Sequence, residues 1–182
     1  MTKNGTKLRG VAGLLPSDRP ELAALVKTQL PALLLFARQW PHDSPEDIVQ
    51  EAFMRLFEQQ EPPQNATAWL FTVVRNLSNN HIRSEKRRKN REFFKTSHHS
   101  SWFVASDRDD ETNDNHTELI EQLQKLPFQY REVIVAKIWG KLTFDQIAAT
   151  LGTSTSSAHR TYQAGLKLLK EGLSTDDADA RR

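Results

Sequence analysis

With 182 residues the chain is long enough for one average domain or for two small helical ones. Its 7 glycines are too few for a turn-rich all-β fold, and the absence of cysteine excludes disulfide frameworks, thiolate zinc sites and thiol nucleophiles. The net charge of +2 is close to neutral, so only the distribution of charge can argue for a polyanionic partner.

Residues 1–19 mix Lys3, Lys7 and Arg9 with glycine and proline and lack the apolar run of a signal peptide, so a disordered tail is expected there. The segment 22–40 has a helical pattern that Pro31 is expected to break or kink. Its longest apolar stretch, 32–37, is too short to cross a bilayer, which predicts a cytoplasmic protein with no membrane insertion. Ser44, Pro45 and Glu46 form a helix start: serine can accept from an unpaired amide, proline has no donor to leave unpaired, and Glu46 and Asp47 suit the positive end of the dipole. The helix predicted from 45 to about 59 puts Ile48, Val49, Ala52, Phe53, Leu56 and Phe57 on one side and Asp47, Gln50, Glu51, Arg55 and Glu58 on the other. Pro62 and Pro63 end it. A further helix, from about Ala66 to Arg83, has an apolar face of Trp69, Leu70, Val73, Val74 and Leu77, which makes Trp69 a core residue rather than a stacking platform. Its opposite face, with Thr72, Arg75, Asn76, Asn79 and Arg83, is rich in hydrogen-bond donors.

The charge then reverses. Lys86, Arg87, Arg88, Lys89 and Arg91 give way to Asp109, Asp110, Glu111, Asp114 and Glu118. Between the two groups only Trp102, Phe103 and Val104 are available for burial, too little to offset the entropy of ordering the segment, so 90–117 reads as a flexible linker. His98 and His99 fall within it without a further ligand at a suitable spacing; no metal and no other cofactor is expected.

The second block, 118–172, opens with Leu119, Ile120, Leu123 and Leu126 at helical spacing, then Pro127, then a helix carrying Tyr130, Val133, Ile134 and Ile138. Thr143 and Phe144 start a short helix with Ile147, Ala148 and Leu151 facing inward. Gly152 can take a positive-φ turn, and Thr153 to Thr155 can cap the next helix. Small Ala148, four residues before Gly152, lets two helices cross closely, as a helix-turn-helix requires. The last helix, about Ser156 to Gly172, buries Ala158, Leu166 and Leu169 and offers Ser156, Ser157, His159, Arg160 and Gln163 to solvent; the acidic residues 173–182 are expected to be disordered. The fold class is therefore all-α: two small helical domains, 20–89 and 118–172, joined by a flexible linker. No nucleophile elbow, phosphate-binding glycine loop or acid/base pair is present, and no enzymatic activity is expected.

The run Pro45-Glu46-Asp47-Ile48-Val49-Gln50-Glu51-Ala52-Phe53, followed by residues 68–77 and the basic cluster, resembles region 2 of the extracytoplasmic-function (ECF) sigma factors. Leu126-Pro127, Tyr130 to Val133, Leu142 to Phe144, Ile147-Ala148, Leu151-Gly152, Ser154 and the closing Leu169-Lys170 resemble their region 4. The resemblance implies a transcription-initiation subunit whose partners are core RNA polymerase, promoter DNA and an anti-sigma factor that no residue specifies. It implies Asp47, Gln50, Glu51 and Arg55 as polymerase contacts. It implies Gln64 and Asn65, in the loop 59–65, together with Arg75, Asn76, Asn79, Asn80, Arg83, Lys86, Arg87 and Arg88 as contacts to the downstream promoter element, where an unstacked base is read. Thr155, Ser156, Ser157, His159, Arg160 and Gln163 would read the upstream element in the major groove. The chain departs from the family at Ser156-Ser157-Ala158, where Gly-Thr-Val is common, at Thr161, where arginine is common, at Ala164 and Leu166, where basic residues are common, and at Asn80, where aspartate is common. An alternative reading is a helix-turn-helix regulator that never enters the polymerase; the polar face of the 45–59 helix, which such a regulator does not need, argues against it.

Overall fold

The computed structural model describes residues 20–41, 44–89 and 122–179, with side chains as far as Arg87 and Gly172 in the last two spans. The expected N-terminal tail and the 90–117 linker, with His98 and His99, lie outside these residues. All regular structure among the described residues is helical.

Helix α1 (Pro20–Ala37) passes through Pro31 without ending, so of the expected break or kink the break does not occur. Pro31 is exposed, as is Lys27, whose carbonyl the missing amide would have served. Over its 18 residues α1 has a hydropathy of 1.2, so by length and composition it is apolar enough to cross a membrane, which the short run 32–37 does not indicate. Its C-terminal half instead lies in the protein core, where Ala32, Leu33, Leu35, Phe36 and Ala37 are buried.

Helix α2 (Pro45–Phe57) begins at the expected proline, with Glu46 and Asp47 in its first turn. Ser44 makes no side-chain cap bond: its backbone, at φ −137° and ψ 73°, lacks the extended geometry that aims a cap hydroxyl at the following amides. The helix closes at Phe57, ahead of the prolines, as Glu58 N donates to Met54 O at 3.1 Å. Helix α3 (Ala66–Lys89) extends beyond Arg83. Asn65 caps it, its side-chain oxygen accepting from Ala68 N at 2.8 Å. Helices α1, α2 and α3 pack pairwise around Leu33, Phe36, Val49, Leu70, Phe71 and Val74, all fully buried. Burying each such large side chain contributes about 1.5–3 kcal/mol.

In the second block, helical residues 122–125 lead to buried Leu126 and then to α4 (Phe128–Ile138), α5 (Phe144–Leu151) and α6 (Thr155–Asp179). Thr143 caps α5 in a reciprocal box: its hydroxyl accepts from Gln146 N at 3.3 Å, and Gln146 Oε1 accepts from Thr143 N at 2.8 Å. Gly152 ends α5 in the left-handed region, at φ 68° and ψ 40°. Within the expected capping triplet it is Ser154 that caps α6, accepting from Ser157 N at 3.2 Å. Helix α6 then continues to Asp179, into the stretch expected to be disordered. Residues 173–179 hold no glycine or proline to stop it.

The two blocks also pack on each other, with α1 against α4 and α3 against α5. One apolar cluster runs from Phe36 and Phe71 through to Val133, Ala136, Leu142 and Ile147. A Cβ on Gly140 would stand 2.6 Å from the ring of Phe71, so glycine there permits the close approach of the second block to α3. A smaller cluster of Leu123, Leu126, Ile134 and Leu169 belongs to the second block alone.

Candidate nucleic-acid interface

The turn between α5 and α6 fixes the leading end of α6. Ala148 on α5 and Ala158 on α6 are both buried in the same apolar cluster, and their small side chains favour a close crossing of the two helices. Thr155, the first residue of α6, donates its hydroxyl to Asp145 at 2.6 Å, which ties α6 back to α5. The His159 ring meets Phe144 edge-on at 4.9 Å. Thr155, Ser156, His159, Arg160 and Gln163 are exposed, and Ser157 is half-buried. Positions 156, 159, 160 and 163 recur at helical spacing, so they form one donor-bearing face on the first turns of a rigid helix. A face of this kind fits the major groove, whose base edges and flanking phosphates offer acceptors to arginine, glutamine and serine.

Along α3 the polar side is divided. Asn76, Asn80, Arg83, Lys86 and Arg87 are exposed, whereas Thr72, Arg75 and Asn79 are half-buried. Arg75 Nε donates to Glu132 Oε1 on α4, and the Glu132 side chain is only 5% exposed. Burial pushes the Glu132 carboxyl above its ordinary value, with the Arg75 hydrogen bond and charge opposing that shift. The Thr72 hydroxyl is 3.0 Å from that of Thr150 on α5. Asn79 accepts at 3.0 Å from the indole Nε1 of Trp40, a residue buried just beyond α1. Arg88 lies within α3, as does Lys89. In the loop before α3 both Gln64 and Asn65 are exposed, but the Asn65 side-chain oxygen is already engaged as the helix cap, a structural role that the pattern Asn65-Ala66-Thr67-Ala68 offered and the sequence reading passed over.

On α2, Asp47, Gln50, Glu51 and Arg55 are all exposed, and Arg55 pairs with Glu51 at 2.8 Å. Met54, which the sequence reading assigned to neither face, stands 45% exposed among them. The described residues hold no cluster of three or more metal-ligating side chains.

Residues 25–88 match the family Sigma-70 region 2, and residues 116–169 match Sigma-70, region 4. The chain belongs to the ECF-type sigma-70 factors. It is an RNA polymerase sigma factor for transcription initiation, which binds core polymerase and promoter DNA and has no enzymatic activity of its own. Among its relatives, this sigma factor is 23% identical to RNA polymerase sigma factor SigV of Bacillus subtilis over 147 residues, 79% of this chain and 84% of SigV. It is 26% identical to ECF RNA polymerase sigma factor EcfG of Rhodopseudomonas palustris over 140 residues, 75% of each chain. Among solved structures it resembles the sigma factor RpoE in complex with the anti-sigma factor NepR from Bartonella quintana, with a TM-score of 0.66 and 25% identity, covering 89% of this chain and 99% of RpoE. The sigma family is soluble, and the apolar helix α1 lies largely within the matched region 2.

Proposed function

We propose that this sigma factor works in the cytoplasm and divides its tasks among three helical faces. The exposed side of α2, with Asp47, Gln50, Glu51 and Arg55, docks on core polymerase. Gln64 and Asn65 of the 59–65 loop, with Arg75, Asn76, Asn79, Asn80, Arg83, Lys86, Arg87 and Arg88 of α3, engage the downstream promoter element where strands separate. Thr155, Ser156, Ser157, His159, Arg160 and Gln163 at the start of α6 read the upstream element as duplex. The solved relative bound to NepR supports a protein inhibitor as a further partner, an anti-sigma factor.

The observation that carries this reading is the separation of two donor-rich surfaces, one in each matched region, from an α2 face that holds two carboxylates, an amide and one guanidinium paired to Glu51. Phosphates and base edges attract the first kind of surface, while a carboxylate-bearing face is repelled by nucleic acid and suits a protein. Replacing Asp47 and Gln50 together by alanine tests the assignment. Binding to core polymerase is expected to weaken while the circular dichroism spectrum is unchanged, since exposed polar substitutions alter stability little. Unchanged affinity would move the docking site off α2.

A further inference from the structure

Thr155 opens α6, and the proton of its hydroxyl is committed. It is donated to Asp145 Oδ1, on the first turn of α5, at 2.6 Å, the short separation that an anionic acceptor gives. A threonine hydroxyl has one proton and two lone pairs, so once that proton is held the oxygen can only accept. Both residues are exposed, at the same end of α6 where Ser156 and Arg160 face outwards.

The carboxylate is out of keeping with its surroundings. A negative charge beside a surface that meets nucleic acid is repelled by phosphate, and the N-terminal end of the α5 dipole offsets only part of that repulsion. A neutral tether between the two helices would avoid it. What an acceptor without protons provides is a fixed direction for the Thr155 hydroxyl, because an asparagine or serine in its place could equally donate to Thr155 and turn that proton outwards.

In the major groove each base pair carries one amine donor, N4 of cytosine or N6 of adenine, whereas guanine offers O6 and N7 and thymine offers O4, all acceptors. An oxygen that can only accept therefore distinguishes the strand on which the amine lies. Arg160, which has donors alone, has the opposite preference and matches guanine.

We infer that Asp145 and Thr155 form a specificity-determining pair: Asp145 holds the Thr155 proton, and the Thr155 oxygen accepts from the amine of a cytosine or adenine in the upstream element, which disfavours guanine and thymine at that position. This rests on the reading of the start of α6 as the upstream-element surface. Asp145 is the positioning member, and Thr155 makes the contact. Entry into the groove removes water from the pair and strengthens the hold on the proton.

The test uses the full-length protein bound to core polymerase and a duplex promoter randomised across its upstream element, with the bound sequences counted. The parent is expected to prefer cytosine or adenine over guanine or thymine at one position on the order of tenfold. Asp145→Asn frees the hydroxyl to donate or accept, and Thr155→Val keeps the shape without the hydroxyl. Both are expected to lose the preference at that one position and to keep the rest of the profile, whereas Thr155→Ser is expected to retain it. Loss in only one of Asp145→Asn and Thr155→Val would overturn the pairing, as would loss in Thr155→Ser. A parent preference for guanine or thymine at the affected position would overturn its chemistry. Arg160→Ala separates the inference from the reading beneath it. A profile altered by Arg160→Ala and untouched by Asp145→Asn and Thr155→Val overturns the pair alone; a profile that none of these variants alters overturns the assignment of α6 to the upstream element as well.

Discussion

Trp40 and Asn79 are joined across the first block by a 3.0 Å hydrogen bond from the indole Nε1 to the asparagine side-chain oxygen. Trp40 is 5% exposed, so its N–H has little water to turn to if that acceptor is removed. Asn79→Ala is expected to destabilise the protein by about 1–3 kcal/mol, against about 0.5 kcal/mol or less for exposed Asn76→Ala. Denaturant unfolding of both variants checks this. A promoter defect in Asn79→Ala therefore has to be judged against its loss of stability, whereas one in Asn76→Ala reads directly on DNA.

The Arg75–Glu132 pair gives stability a pH dependence of defined sign. Burial raises the folded-state pKa of Glu132 above its ordinary 4.5, with Arg75 opposing. A carboxyl shifted upward contributes stability that is fully present below the unfolded value and is lost as pH rises through the folded one. Relative to Glu132→Gln, the parent protein is expected to lose stability as pH rises from about 4.5, and parallel urea titrations at several pH values measure the difference. A constant difference across that window would contradict the shift.

Gly165 and Gly152 are expected to respond to alanine for different reasons. A Cβ at Gly165 would stand 2.8 Å from Ile134 Cδ1 and 3.0 Å from Tyr130 Cβ, so α6 and α4 must separate or their side chains must shift, at about 1–3 kcal/mol. Gly152 has open space around it but a φ of 68°, so the cost there is backbone strain of about 1–2 kcal/mol. Thermal unfolding gives both losses. A further alteration at residue 134, Ile134→Val, is expected to relieve part of the Gly165→Ala defect and none of the Gly152→Ala defect.

Much of this was legible in the sequence because it is local. The apolar face of α2, the Thr143 start, the Gly152 turn and the buried Ala148 all follow from neighbours within a few residues, and the structure has them where the pattern places them; on α3 it buries Leu70 and Val74 as expected but also Phe71, which the pattern assigned to neither face. At Pro31 the sequence left a break or a kink open, and the helix continues through it at a position where the side chain is exposed. The seam between the blocks was illegible for another reason: Arg75 and Glu132 are 57 residues apart, and Thr72 and Thr150 are 78 apart. One signal was nevertheless present. Val133-Ile134-Val135-Ala136 is an unbroken apolar run inside α4, and a helix that is apolar around a full turn needs neighbours on more than one side.

The two surfaces proposed to contact the promoter are expected to fail in different ways. Arg160→Ala should weaken binding to a duplex upstream element by about 1–3 kcal/mol if the guanidinium is bidentate to a guanine, and by less for a phosphate contact. Asn76→Ala should leave duplex binding intact and slow strand opening, a defect that a pre-melted bubble partly relieves because unstacking is already done. Permanganate footprinting beside duplex binding, on sealed and pre-opened templates, separates the two; the reverse pattern would exchange the roles of α3 and α6.

Whether this chain directs core polymerase to start sites is measured with purified core polymerase, genomic DNA and the protein, with transcript 5′ ends mapped. Discrete 5′ ends that appear only with the protein, and that share a downstream and an upstream sequence element, are the predicted result. A map of 5′ ends identical to that of core polymerase alone, from protein whose helical circular dichroism is intact, would contradict it.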